Sequence, residues 1–197
     1  MKKYLIGLLA VAMLGCSGTE EPEESADPQG CDTECEVVIG PESDMSGYTE
    51  LEDTHVFTDT TVQTMVRSLE EGQTFVVYFG FVRCPWCQEA VPVLAEAAED
   101  AGMKVGYINT RPSDDIHSNI EIPDYDMLVD AVGSYFPPDD NNIPHLYTPF
   151  VFFVKDGEVV LAHQGTVEEH DAHERQMTDE ERTELRKIYD EGFSALK

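Results

Sequence analysis

Phe75-Val76-Val77-Tyr78-Phe79-Gly80-Phe81-Val82-Arg83-Cys84-Pro85-Trp86-Cys87-Gln88 is the stretch that decides the reading of this chain. It opens as an apolar run of aromatic and β-branched residues, and from Gln88 to Ala101 the pattern turns helical. Continuous apolarity predicts a strand buried on both faces, as in the centre of a parallel or mixed sheet. Cys84 and Cys87 stand at the junction. Three residues apart at the opening of a helix, they share one helical face and come close enough to form a disulfide. Cys84 faces the helix N-terminus, where unsatisfied N–H groups and the positive end of the macrodipole favour thiolate over thiol. Of the two, Cys84 is therefore expected to be the accessible, reactive thiol. Such a pair performs thiol–disulfide exchange.

The flanks supply the rest of an α/β sheet. A helix is predicted from Asp59 or Thr60, with Val62, Met65, Val66 and Leu69 on one face and Gly72 just beyond its end. The strand at 74–81 follows, then the cysteine-opened helix, closed by Gly102, and a second strand from Met103 to Asn109. Further on, Phe150 to Lys155 and Glu158 to Ala162 are two β-rich runs separated by Asp156-Gly157, which supplies the positive φ angles of a tight hairpin. A last helix begins at Thr178, which makes a capping box with Glu181, and its apolar face is Leu185, Ile188, Tyr189, Phe193 and Leu196. The order βαβ then ββα predicts a central mixed sheet with helices on both faces. Residues 37–197 are enough for one core and too few for two.

The N-terminus points to export. Residues 1–15 read Lys2, Lys3, an apolar run from Tyr4 to Leu14, and Gly15, the pattern of a signal peptide and too short for a comfortable membrane span. Met13-Leu14-Gly15-Cys16 resembles a bacterial lipobox, which implies that Cys16 is lipidated and anchors the mature protein to a membrane of the bacterial envelope. The alternative is an ordinary secretory signal. Residues 16–36, rich in Glu, Asp and Pro, are expected to form a flexible acidic tether. Five cysteines are odd for an exported protein, but with Cys16 lipidated four remain in two local pairs, Cys31/Cys35 and Cys84/Cys87. An extracytoplasmic, oxidising compartment accommodates both. The chain has 40 acidic and 12 basic residues and a net charge of −28. Nucleic acid is thereby excluded as a partner, since phosphate binding depends on clustered Lys and Arg.

The run YFGFVRCPWCQEAVPVLAE resembles the active-site segment of thioredoxins, with Pro92 matching the proline that kinks the active-site helix. Thr148-Pro149-Phe150, leading into FVFFVKDGEVV, is similar to the thioredoxin cis-proline segment and its antiparallel hairpin, and Gly165 to the glycine after that hairpin. The lipoprotein signal, CPWC and the distal GTVEEHDAHERQMT look like the exported thioredoxin-like proteins called bacteriocin transport accessory proteins. The resemblance implies a thioredoxin-like fold and a cis peptide bond before Pro149, a trans proline at a strand edge being the alternative. It further implies Cys84 as attacking thiolate, Cys87 as resolving thiol, Arg83 as electrostatic support, and Trp86, Thr148 and Pro149 as substrate-binding residues. No cofactor and no metal are needed, because the electrons travel in the cysteines. The partners implied are protein thiols or disulfides and a second redox protein that recycles the site.

Two departures stand out. Thioredoxins carry a buried Asp six residues before the first cysteine, where this chain has Tyr78, a poor base at neutral pH. The segment 111–146 is an insertion relative to a minimal thioredoxin, with a predicted helix from Tyr125 to Tyr135, and is expected near the active site because it runs into Pro149. Other readings remain open. Cys84 and Cys87 could form a fixed structural disulfide, or half of a four-cysteine zinc site with Cys31 and Cys35; Cys31 and Cys35 could form a local disulfide or a second redox pair. Trp86 is expected to be exposed. His170 and His173, among acids, read as a solvated loop rather than a metal site. The competing function is a thioredoxin-fold binding or transport-accessory module without redox turnover.

Overall fold

Alternation along two neighbouring strands divides the core in two. In the computed structural model, which describes residues 40–113 and 120–197, the elements run β1 (Phe57–Asp59), α1 (Val62–Glu70), β2 (Phe75–Gly80), α2 (Pro85–Ala101), β3 (Val105–Asn109), α3 (Tyr125–Val132), a 3-10 turn (Gly133–Tyr135), β4 (Phe150–Lys155), β5 (Glu158–Gln164) and α4 (Asp179–Ala195). Val76 and Tyr78 of β2 and Val151 and Phe153 of β4 point to one face, where α2 and α4 pack. Phe75, Val77 and Phe79 with Phe150, Phe152 and Val154 point to the other, against α1 and α3. Every residue of β2 is buried, as a strand covered on both faces requires.

The five strands form one mixed sheet in the order β1-β3-β2-β4-β5. β1, β3 and β2 are parallel, while β4 runs antiparallel to β2 and β5 antiparallel to β4. The α/β class and the helices on both faces agree with the sequence reading. β1 is new: three residues beside β3, too short to show a period. Asp59 accordingly ends a strand, and α1 starts later than expected, capped by Thr61, whose side chain accepts from the Thr64 N–H.

Local signals set the helix and turn boundaries. Cys84 is the N-cap of α2, with Pro85 in its first turn, where a missing N–H costs nothing. Gly102 closes α2 at φ 68°, its N–H reaching the Ala98 and Glu99 carbonyls. The hairpin turn has Asp156 at φ 52° and Gly157 at φ 79°, the positive pair that matches strand twist. Thr178 and Glu181 form the reciprocal capping box at the start of α4. No helix among the described residues is long and apolar enough to cross a membrane. The expected signal peptide 1–15, Cys16, the expected tether 16–36 and the Cys31/Cys35 pair lie outside the described residues.

Candidate active site

The antiparallel register between β2 and β4 builds the site. Phe79 lies opposite Phe150, so the residues that follow β2 meet the residues that precede β4. This juxtaposes Cys84 with Thr148 and Pro149. The Thr148–Pro149 peptide bond is cis, and the Thr148 carbonyl oxygen and hydroxyl stand 3.8 and 3.9 Å from Cys84 Sγ.

Both cysteines are free thiols, and their environments push them apart. Cys84 Sγ accepts a hydrogen bond from the Cys87 N–H at 3.2 Å, the N-cap interaction of α2. The Cys87 thiol, then the Cys87 backbone, the Thr148 side chain and the Trp86 backbone hold the Cys84 thiol below its ordinary range, while burial opposes them. Cys87 is fully buried. Burial first, then the hydrogen bond and charge of Cys84, drive its thiol well above the ordinary range. Cys84 is itself only 3% exposed, which corrects the expectation of an openly accessible thiol. Thr148 and the first turn of α2 cover it, and its approach is through a cavity.

That cavity, of about 400 Å³, is lined by Cys84, Pro85, Trp86 and Arg83 from the start of α2, by Thr148 and Tyr147 before β4, and by both ends of the 111–146 insertion. The insertion's middle lies elsewhere: Leu128 and Val132 of α3 pack into the core on the α1 face. The expected position near the site therefore holds for its ends and not for its helix. Arg83 is exposed and shares the cavity with Cys84. Pro149 is buried.

Trp86 is half-buried rather than exposed. Its indole N–H donates to the His170 carbonyl at 3.4 Å and its ring meets His173 edge-on at 4.6 Å. His170 corrects the solvated-loop reading: it is buried. Its Nε2–H donates to the Arg175 carbonyl at 3.1 Å, its Nδ1 bonds the Thr166 hydroxyl at 2.7 Å, and Glu89 Oε1 stands 3.5 Å from Nε2. Glu89, buried on α2, also accepts from the Met177 N–H at 2.5 Å. Residues 166–177 are thus fastened to α2 through Glu89, His170 and Trp86. The sequence gives no sign of Glu89, since only the tertiary fold brings it to His170 and Met177.

Beneath the cysteines lies a tyrosine cluster. Tyr78 stacks on Tyr107 with centroids 5.9 Å apart, and Tyr107 meets Tyr48 edge-on at 6.4 Å. The Tyr78 hydroxyl meets no partner in full hydrogen-bond geometry, yet its nearness to Cys87 favours that thiolate and partly opposes the upward shift. Burial, then the Cys87 charge, drives the Tyr78 hydroxyl itself well above its ordinary range, so it can donate a hydrogen bond and cannot take a proton. No cluster of three or more His, Cys, Asp or Glu side chains among the described residues is arranged to hold a metal. No protein-family model and no curated protein matches the chain.

Proposed function

We propose that the chain is a membrane-anchored, extracytoplasmic thiol–disulfide oxidoreductase of the thioredoxin-like superfamily, resembling the bacteriocin transport accessory proteins. The observation that carries this reading is the asymmetry of the two thiols. Cys84 is an N-cap thiol held low beside a cis-proline backbone, and Cys87 is a buried thiol held high, one turn away. A structural disulfide would have no use for that division.

In the proposed reaction the Cys84 thiolate attacks one sulfur of a substrate disulfide. The S–S bond breaks, the distal sulfur leaves as thiolate, and a mixed disulfide joins Cys84 to the substrate. Cys87 then gives its proton to water and attacks Cys84 Sγ, releasing the second substrate thiolate and leaving a Cys84–Cys87 disulfide. Two electrons pass from the dithiol to the substrate, and the reverse sequence oxidises a substrate dithiol. Thr148 and Pro149 flank the incoming chain and would pair its backbone as an added strand. Trp86 forms a wall of the approach.

The test is reduction of insulin by dithiothreitol, with and without the full chain, in a background where Cys31 and Cys35 are Ser. The reading expects acceleration by this background protein, none by Cys84→Ser, and, in a parallel incubation with insulin and no dithiothreitol, reducible higher-mass adducts trapped by Cys87→Ser. Equal rates in all arms and no adducts would discard it in favour of the binding-module reading. Cys16→Ala tests the anchor separately: it should release the protein from membranes or block its processing.

A further inference from the structure

Among the described residues, the lining of the cavity beside Cys84 departs in its ionisable side chains from the rest of this chain. Its walls include Arg83, Arg111, His145 and His173, and no Asp or Glu is among its described lining residues, although the chain holds 40 acidic residues against 12 Lys and Arg. Two other depressions follow the overall composition. The groove between α1 and the β4–β5 turn carries Glu70 and Glu158, and the one under residues 42–55 carries Glu42, Asp44, Glu52 and Asp53.

Apolar surface backs the two arginines. The Arg111 guanidinium lies 4.3 Å over the Phe81 ring, and Leu146, Ile120 and Trp86 complete the walls. Stacking on an aromatic face fixes the plane of a guanidinium, and a fixed fork with five donors suits bidentate capture of a carboxylate even while some donors serve other partners. A volume of about 400 Å³ accommodates one or two side chains beside the reactive sulfur.

We propose that this cavity selects disulfides and thiols whose reactive sulfur is flanked by carboxylates. The inference rests on the exchange reading above and adds to it a substrate class. The carboxylate would meet Arg83 and Arg111 while its neighbouring sulfur faces Cys84. The large negative charge elsewhere on the chain opposes such a substrate at long range. At physiological ionic strength, however, the screening length is about 8 Å, so the groups lining the cavity outweigh distant acids once the substrate arrives.

The experiment uses the full chain with Cys31→Ser and Cys35→Ser, reduced, in detergent at physiological salt. Its probes are cysteine peptides linked through a disulfide to a neutral thiopyridyl leaving group and flanked by Asp and Glu, by Ser, or by Lys. Release of thiopyridine gives the second-order rate constant of the single exchange, and each rate constant is divided by that of the same probe with mercaptoethanol to remove intrinsic reactivity. Because one thiolate attacks all three, the acidic-to-basic ratio is insensitive to changes in Cys84 itself. The expected ratio is at least about fivefold, the scale of one partly exposed ion pair, and Arg83→Gln and Arg111→Gln should each lower it severalfold. Arg83 is exposed, so its variant keeps the test open should Arg111→Gln fold poorly.

A ratio of one or less, with the Ser probe still releasing thiopyridine, overturns the inference and leaves the exchange reading standing. Release from no probe overturns both. Glutathione disulfide and its tetraethyl ester form a second pair of arms: preference for the free acid identifies a small carboxylate-bearing thiol as a sufficient source. Preference seen only among the peptides identifies an acidic polypeptide segment.

Discussion

Replacing Glu89 by Ala tests whether residues 166–177 are held to α2 by a buried polar clamp. Glu89 Oε2 accepts the buried Met177 N–H, and Glu89 Oε1 faces His170 Nε2. Truncation leaves the Met177 N–H without its acceptor, at a cost of about 1–3 kcal/mol, and removes the charge assistance to His170. Relief of the buried carboxylate's own desolvation offsets part of this, so the net expectation is a loss of about 2 kcal/mol. Glu89→Gln retains an acceptor and gives up only the charge. Hydrogen bonds to charged groups are worth roughly 1 kcal/mol more than neutral ones, so this variant should lose about 1 kcal/mol. For a domain of this size each kcal/mol moves Tm by about 2–4 °C, so urea unfolding or calorimetry resolves the two. Because Trp86 and His173 flank the cavity through this segment, Cys84 in Glu89→Ala should also alkylate faster than in the parent. Losses below about 0.5 kcal/mol in both variants, with unchanged Cys84 alkylation, would refute the clamp.

Limited iodoacetamide treatment of the reduced protein near neutral pH should label Cys84 in preference to Cys87, because the Cys84 thiol is held below its ordinary range and the Cys87 thiol far above it; mass spectrometry decides, and predominant Cys87 labelling would reverse the roles. Gly192→Ala should destabilise the fold: the helix gains about 1 kcal/mol in propensity, but the new Cβ would stand 2.7 Å from three atoms of the Phe153 ring, itself packed by Phe193, and overpacking costs about 1–3 kcal/mol. Burial holds the His163 imidazole below its ordinary value, against its bond to the Thr166 carbonyl. The unfolded histidine then takes up a proton first, near pH 6.5, so this contribution is complete above 6.5 and is lost as pH falls toward the lower folded value. Unfolding free energy should decline across that window, and His163→Gln should flatten the decline.

Local chemistry was legible where it is self-contained. Asp156-Gly157, Gly102 and Thr178 with Glu181 announce a turn, a helix end and a helix start from neighbouring residues alone. Cys84 was legible in its own motif and Thr148 through resemblance, but their contact depends on the β2–β4 register, which neither segment carries by itself. β1 escaped because three residues cannot display a period. His170 escaped for another reason: flanked by Glu169 and Asp171, it has the composition of a surface loop, and its burial comes from Thr166, Arg175 and a glutamate on a distant helix. Arg111 and His145 likewise join Arg83 only because both ends of the insertion return to the same cavity.

Tyr78 changes how the proposed exchange would be paced. Where an acid could accept the Cys87 proton, this chain offers a hydroxyl that donates without accepting a proton. Two of the causes that hold the Cys87 thiol up, after burial, are the hydrogen bond and negative charge of Cys84. Both vanish when Cys84 becomes part of a mixed disulfide, because that sulfur is then neutral and its bond to the substrate replaces its hold on the Cys87 proton. The Tyr78 hydroxyl, without a full hydrogen-bond partner in the dithiol state, would serve with the Phe81 backbone as a donor to the emerging Cys87 thiolate. In the proposed exchange, attack by Cys87 before substrate is bound would be suppressed by the charge on Cys84, and loss of that charge on bonding would release the second thiol. The order of the two steps would then follow from this change in charge at Cys84.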